Sequence, residues 1–124
     1  MTRATVLVVD DDDALRTTLG ILIRLLDYDV LVAPDVPTAE ALLRAHPIDL
    51  VISDLQMPGG SGIDLLDWIK QNGIETPVII LTAHGTAPIA AGAMRKGAVD
   101  FIDKPFDVQQ IDVGIRRALA RGRL

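Results

Sequence analysis

Short apolar runs rich in β-branched residues alternate with amphipathic segments along the whole chain. The runs are continuous, which indicates strands covered on both faces, because a strand with one face in water would alternate apolar and polar residues. They predict five strands, numbered 1 to 5 in this subsection, over residues 5–9, 30–33, 50–52, 78–81 and 99–102.

Helical periodicity fills the intervals between these runs. Leu15, Leu19 and Leu22 recur three or four positions apart and predict an amphipathic first helix, and residues 108–118 repeat the pattern in the fifth. Weaker helical segments cover residues 36–45, 61–72 and 86–96. Strands separated by single helices are parallel with right-handed crossovers, so we predict one doubly wound α/β sandwich around a five-stranded parallel sheet.

Composition narrows the class of protein. A chain of 124 residues builds one core, so residues 1–124 are predicted to form one domain. Twelve basic and 17 acidic residues give a net charge of −5, which argues against direct nucleic-acid binding. The absence of cysteine excludes disulfides, thiolate catalysis and Cys-based zinc sites. No apolar run approaches the ~18 residues of a membrane span, so we expect a cytoplasmic protein without membrane contact.

Polar residues follow four of the five predicted strands. Ligands in such folds bind beyond the carboxyl ends of the strands, where residues distant in sequence converge. The polar residues at these ends are Asp10, Asp11, Asp12 and Asp13 after strand 1, Ser53 and Asp54 after strand 3, Thr82 and His84 after strand 4, and Asp103 and Lys104 after strand 5. The sequence therefore predicts an acidic pocket that also contains the lysine and the Thr82 hydroxyl.

The residue types in this pocket suit phosphoryl transfer. Several adjacent carboxylates stay ionised in a partly dry cleft only when a cation neutralises them, and oxygen ligands favour Mg²⁺ or Mn²⁺. Asp54 beside such an ion can attack phosphorus to form an acyl phosphate. Lys104 would pair with the phosphoryl oxygens, and Thr82 would donate its hydroxyl to another of them.

Four segments carry a family resemblance. In order along the chain, they are VLVVDDDDALR, DLVISDLQMPGGSGIDLL, VIILTAH and GAVDFIDKPFD. Together they resemble the receiver domain of bacterial two-component response regulators, the CheY-like family. The resemblance implies a flavodoxin-like (βα)5 fold with strand order 2-1-3-4-5. It also implies a signalling module that is activated by phosphorylation and that receives its phosphoryl group from a sensor histidine kinase or phosphotransfer protein. Such a module is not a conventional enzyme, although it promotes its own phosphorylation and dephosphorylation.

The resemblance assigns a role to each pocket residue. Asp54 would be the phosphoacceptor and Lys104 the lysine that binds the phosphate. Alignment on Arg16 selects the first two aspartates after strand 1 as the acid pair, so the next two are expected to cap the first helix. The implied metal ligands are Asp10, Asp11, Asp54 and the backbone carbonyl of Gln56.

Other family features concern switching and the phosphoryl lifetime. Thr82 and Phe101 would be the switch pair, and Phe101 would otherwise be a simple core residue of strand 5. Gln56 and His84 stand where receivers tune the access of water to the phosphoryl group. The bond Lys104–Pro105 is a candidate cis peptide. The surface of helix 4, strand 5 and helix 5 would contact an effector domain or a second copy of the chain.

Two local features have simpler interpretations. The stretch of residues 59–62 is expected to be a flexible turn, with Ser61 as the N-cap of the third helix. Receivers commonly have Gly at the position of Asp27, so Asp27 is expected to need a left-handed backbone conformation.

Two alternative functions remain at this point. A haloacid-dehalogenase-like phosphatase also uses a strand-end aspartate, a threonine, a lysine and Mg²⁺. Its first motif requires Thr or Val where this chain has Ala14, and it has an acid pair where this chain has the single acids Asp107 and Asp112. The other alternative is a receiver that only relays phosphate, or a degenerate receiver that serves as a binding module.

Overall fold

The computed structural model describes residues 3–83 and 87–122 of the chain. The main sheet contains β1 (Thr5–Val9), β2 (Asp29–Ala33), β3 (Leu50–Asp54), β6 (Val78–Thr82) and β7 (Asp100–Asp103), and a small ribbon contains β4 (Gln56–Met57) and β5 (Gly60–Ser61). The helices are α1 (Asp13–Leu25), α2 (Val36–Ala45), α3 (Gly62–Gln71), α4 (Ala87–Arg95) and α5 (Val108–Gly122).

The five main strands are all parallel and lie in the order β2-β1-β3-β6-β7. Counted over the main strands alone, this is the predicted order 2-1-3-4-5, so the flavodoxin-like prediction is confirmed. Predicted strands 1 to 5 correspond to β1, β2, β3, β6 and β7. The surface predicted to signal is therefore α4-β7-α5.

Helices cover both faces of the sheet. Alternate residues of β1 point to opposite faces, so Val6 and Val8 belong to one apolar cluster, whereas Leu7 and Val9 belong to the other. The first cluster includes buried residues of α1 and α5, and the second includes buried residues of α2, α3 and α4. This arrangement explains why the strands appear in the sequence as continuous apolar runs.

The helix ends follow their local sequence. Asp12 caps α1, with its side chain accepting a hydrogen bond from the Leu15 amide. Ser61 caps α3, and its partner Asp64 completes a capping box. The left-handed conformation expected at Asp27 is present, with φ at 73°. No helix in the described ranges has the length and apolar character needed to cross a membrane.

The segment between β3 and α3 corrects one prediction. The sequence predicts a flexible turn at residues 59–62, but Gly60 and Ser61 form β5, which pairs antiparallel with β4 so that Gln56 lies opposite Ser61. Gly62 lies so close to β3 that an added Cβ would stand 2.6 Å from the backbone oxygen of Asp54. The first residue of α3 therefore packs tightly against the end of β3.

Candidate functional site

The predicted polar residues converge at the carboxyl edge of the sheet. Asp10 follows β1 directly, Asp54 ends β3, Thr82 ends β6, and Lys104 follows β7. Because parallel strands align their carboxyl ends, these four residues lie along the same edge of the sheet despite large separations in sequence. The edge therefore gathers acidic, basic and hydroxyl groups in one place.

Three aspartates form the acidic part of the site. Asp10, Asp11 and Asp54 each place a carboxylate oxygen within 4.8 Å of the other two. Asp10 is fully buried and Asp54 is 9 % exposed, whereas Asp11 is open to solvent. A cluster of carboxylate oxygens with one open side fits a hard divalent cation such as Mg²⁺. Asp12 and Asp13, the other two residues of the run, face α1 instead, as its N-cap and as the ion-pair partner of Arg16.

Lys104 supplies the positive charge of the site. Its Nζ lies 3.2 Å from Asp54 Oδ1 and 3.4 Å from Asp10 Oδ2, so one ammonium bridges both buried carboxylates. The peptide bond between Lys104 and Pro105 is cis. Two buried carboxylates without such a partner would repel each other strongly, and the lysine compensates part of that repulsion.

Burial has the largest effect on the pKa of Asp54. It raises the pKa of this carboxyl above its ordinary value because the ionised form loses hydration. The charge of nearby Asp10 raises the pKa further, whereas the Lys104 ammonium opposes both effects. A further cation at the acidic cluster would favour the ionised form, which is the nucleophilic one.

Asp10 is held in place by its neighbours in the β1–α1 loop. The Asp12 amide donates to Asp10 Oδ1 at 2.9 Å, and Arg16 Nη1 donates to the Asp10 backbone oxygen at 2.8 Å. In the sequence, Arg16 indicates only which two aspartates form the acid pair. The structure gives it a further role, because its guanidinium fixes the backbone that presents Asp10.

Thr82 and Phe101, the predicted switch pair, differ in their burial. Thr82 is fully buried, and its Oγ1 donates a hydrogen bond to Asp103 Oδ1 at 2.7 Å. Phe101 is 36 % exposed, so its ring lies at the surface rather than in the core. This corrects the simple interpretation of Phe101 as a core residue. The phenylalanine sits on an edge strand, where one flank of the side chain has no neighbouring strand to cover it.

Three residues at the site went unassigned in the sequence. The sequence pattern places Asp103 at a strand end without indicating a role, because its contact with Thr82 depends on the register that pairs these two residues across β6 and β7. Ser53 is buried, and its Oγ donates to the Asp54 backbone oxygen at 3.0 Å. Gly62 approaches that same oxygen from α3. The only signal for Gly62 was its glycine-rich context.

The predicted roles of Gln56 and His84 are not tested by the contacts of the described residues. Gln56 is exposed at the start of β4, two positions after Asp54, and its carbonyl remains a predicted metal ligand. His84 lies outside the described residues, so its predicted role stays a prediction.

Comparison with known proteins places this geometry in a family. A family model described as the response regulator receiver domain matches residues 6–116. The chain is 37 % identical over 119 residues to the response regulator protein PilR of Pseudomonas aeruginosa, covering 96 % of this chain and 27 % of PilR. It is 40 % identical over 117 residues to the transcriptional regulatory protein FixJ of Azorhizobium caulinodans, covering 92 % of this chain and 54 % of that protein. The chain thus spans between about a quarter and just over half of these relatives.

Solved structures agree with the sequence matches. A response regulator receiver domain from Clostridium thermocellum superposes with a TM-score of 0.90 at 33 % identity, covering 97 % of both chains. The crystal structure of FixJ-N gives a TM-score of 0.91 at 34 % identity, covering 97 % of this chain and 96 % of that one. With the family model, the relatives and the strand order in agreement, this chain belongs to the receiver-domain family of two-component response regulators.

Proposed function

We propose that Asp54 accepts a phosphoryl group from a histidine kinase or phosphotransfer protein and that this charge switches the signalling surface of the chain. The supporting observation is the Lys104 ammonium, which bridges Asp54 and Asp10 within the acidic cluster. Asp54 thus lies beside an ammonium group that can bind phosphoryl oxygens and within a cluster of carboxylates that can bind a cation, and phosphoryl transfer requires both. We propose residues 1–124 as a single receiver domain.

Receiver domains bind Mg²⁺ through an acidic pocket, and the donor set here fits that ion. We assign Asp10, Asp11, Asp54 and the Gln56 carbonyl to hold it, with Mn²⁺ as a substitute. When bound, the ion neutralises the carboxylates and the negative charge of the phosphoryl oxygens. Asp11 is the most exposed of the three aspartates, which suits a ligand facing the entry side of the site.

Phosphoryl transfer then follows from the positions of the side chains. An oxygen of Asp54 attacks phosphorus, the phosphorus–nitrogen bond of a donor phosphohistidine breaks, and the imidazole nitrogen keeps the electron pair. Lys104 exchanges its contact with Asp54 Oδ1 for a phosphoryl oxygen, and Thr82 donates its hydroxyl to another. In the reverse phase, water attacks phosphorus and releases inorganic phosphate. Gln56 and His84 are proposed to set how readily that water enters.

We propose that the surface formed by α4, β7 and α5 transmits the signal. The relatives PilR and FixJ are named as a response regulator protein and a transcriptional regulatory protein, and both extend well beyond the matched region. An attached effector domain or a second copy of this chain is therefore the proposed recipient of the signal. The phosphatase alternative receives no support from the relatives. A degenerate receiver is disfavoured because Asp10, Asp54, Thr82 and Lys104 are all present at the site.

Labelling with acetyl phosphate and Mg²⁺ tests this proposal. The intact mass should rise by one phosphoryl group, and hydroxylamine should remove that group because it cleaves acyl phosphates. Asp54→Ala should abolish the mass change, whereas Asp12→Ala should retain it, since Asp12 caps α1 outside the cluster. Label that survives in Asp54→Ala, or that resists hydroxylamine, would show that the acyl-phosphate assignment is wrong.

A further inference from the structure

We propose that Asp103 is a positioning residue that holds the Thr82 hydroxyl in the unphosphorylated chain and competes with the phosphoryl group for it. This inference rests on the proposed function, because it concerns what the phosphoryl group must displace. It adds a residue to the switch and assigns Asp103 a role that opposes activation.

The contact itself is short and specific. Thr82 Oγ1 donates to Asp103 Oδ1 at 2.7 Å, and the two residues are register partners at the ends of β6 and β7. A threonine hydroxyl carries one proton, so it donates one hydrogen bond at a time. Donation to Asp103 and donation to a phosphoryl oxygen on Asp54 are therefore mutually exclusive.

The acceptor in the unphosphorylated chain is an anion. Hydrogen bonds to ionised acceptors are stronger than neutral ones, so the phosphoryl group must displace a charged competitor rather than a neutral acceptor. Thr82 is fully buried, and without Asp103 its hydroxyl would need another acceptor. Asp103 thus stabilises the unphosphorylated position of Thr82 and biases the switch towards the inactive state.

The same contact is easily reversed. Asp103 is exposed, so water can solvate its carboxylate once Thr82 has moved away. Breaking the bond therefore does not strand a buried charge, and the two states can stay within the few kcal/mol that phosphorylation is able to shift. A buried acid at this position would hold Thr82 too firmly for such a balance.

The position of Asp103 also links Thr82 to the surface. Asp103 and Phe101 lie two residues apart on β7, so their side chains share one face of the strand. Both line a groove of about 420 Å³ between β7 and α5, together with Gln110 and Val113. When the hydrogen bond from Thr82 breaks, the Asp103 side chain is free to move, and its movement changes the shape of the groove that Phe101 also lines.

A second explanation must be separated from this one. Removing any carboxylate near the site would strengthen anion binding by reducing electrostatic repulsion, with no need for a hydrogen bond. The two explanations differ in their dependence on Thr82. An effect of the hydrogen bond disappears when the hydroxyl is absent, whereas an effect of charge alone persists.

The test measures binding of beryllofluoride, a phosphoryl mimic, in the presence of Mg²⁺ by isothermal titration calorimetry. The variants are Asp103→Ala, Thr82→Val, their double mutant, and Asp100→Ala as a control that removes a carboxylate from the same strand. Asp103→Asn serves as a size-conserving second variant. We expect Asp103→Ala to tighten binding roughly three- to tenfold in the wild-type background, and less than about twofold in the Thr82→Val background. Asp100→Ala should change the affinity by less than about twofold.

Each outcome decides the matter. The role of Asp103 is overturned if Asp103→Ala tightens beryllofluoride binding equally in the wild-type and Thr82→Val backgrounds. It is also overturned if Asp103→Ala does not tighten binding while the wild type binds the mimic. Neither result contradicts the proposed phosphorylation of Asp54. Failure of the wild-type chain to bind the mimic overturns the proposed function and this inference with it. NMR adds an independent readout, because the Thr82 amide of unphosphorylated Asp103→Ala should shift towards its position in the beryllofluoride complex. A shift away from that position counts against the proposal.

Discussion

Gly62 is expected to be needed for the close packing of α3 against the end of β3, which carries Asp54. A Cβ at this position would stand 2.6 Å from the Asp54 backbone oxygen and 3.0 Å from Ile80 Cδ1. The first distance is about 0.8 Å short of the 3.4 Å at which ordinary contact begins. The blocking atom belongs to the backbone, so the overlap is relieved only when α3 or the end of β3 moves. We expect Gly62→Ala to destabilise the chain by roughly 1–3 kcal/mol.

The assay compares two Gly→Ala variants by urea unfolding and thermal melting. A loss of this size lowers Tm by about 4–12 °C in a domain of this length. Gly20→Ala is the matched control, because its added Cβ would meet Val30 and Val32 at 3.7 and 3.8 Å, which is ordinary contact. Gly20 lies inside α1, so its replacement should stabilise the chain by up to ~1 kcal/mol. Equal stability of Gly62→Ala and wild type would refute the steric argument, as would a loss in Gly20→Ala.

Three further predictions concern the site and the helix ends. Asp54→Asn should raise the free energy of unfolding at neutral pH without Mg²⁺. The folded-state pKa of Asp54 is raised, so the wild type loses stability as pH rises from the ordinary aspartate value through that raised pKa, and the gain should vanish in acid. A gain that persists at low pH would contradict this cause. Asp27→Gly should stabilise the chain by about 0.5–1 kcal/mol in urea unfolding, since glycine adopts the positive φ without strain. Ser61→Ala should cost about 1 kcal/mol in the same assay, because it removes the capping box of α3, and an unchanged midpoint would argue against that contribution.

Much of the fold is encoded locally. The residues of β1 alternate between the two apolar clusters, and because both faces are covered, a run such as Val6–Val9 has no polar member. The same argument places Asp10 and Asp54 at one edge before any coordinates are known, since each directly ends or follows a parallel strand. The acidic cluster and its lysine could therefore be predicted from the sequence.

The remaining features depend on tertiary contacts. The ribbon of β4 and β5 has two residues per strand, too few for any periodicity to appear. The hydrogen bond between Thr82 and Asp103 requires the register of β6 against β7, which pairing across the sheet determines. The requirement for Gly62 comes from the close approach of α3 to β3, and a glycine-rich stretch does not reveal which of its glycines is indispensable.

The assembly of the site from distant strands has a consequence for the growing polypeptide. Asp10, Asp54 and Lys104 come together only when β1, β3 and β7 lie in one sheet, and the lysine arrives last during synthesis. A shorter nascent chain presents Asp54 without the ammonium that bridges it to Asp10, and under the proposed function it therefore lacks a charge needed to bind the phosphoryl group. The proposed function would thereby depend on completion of the sheet, and an unfinished or misfolded copy would compete poorly for the phosphodonor.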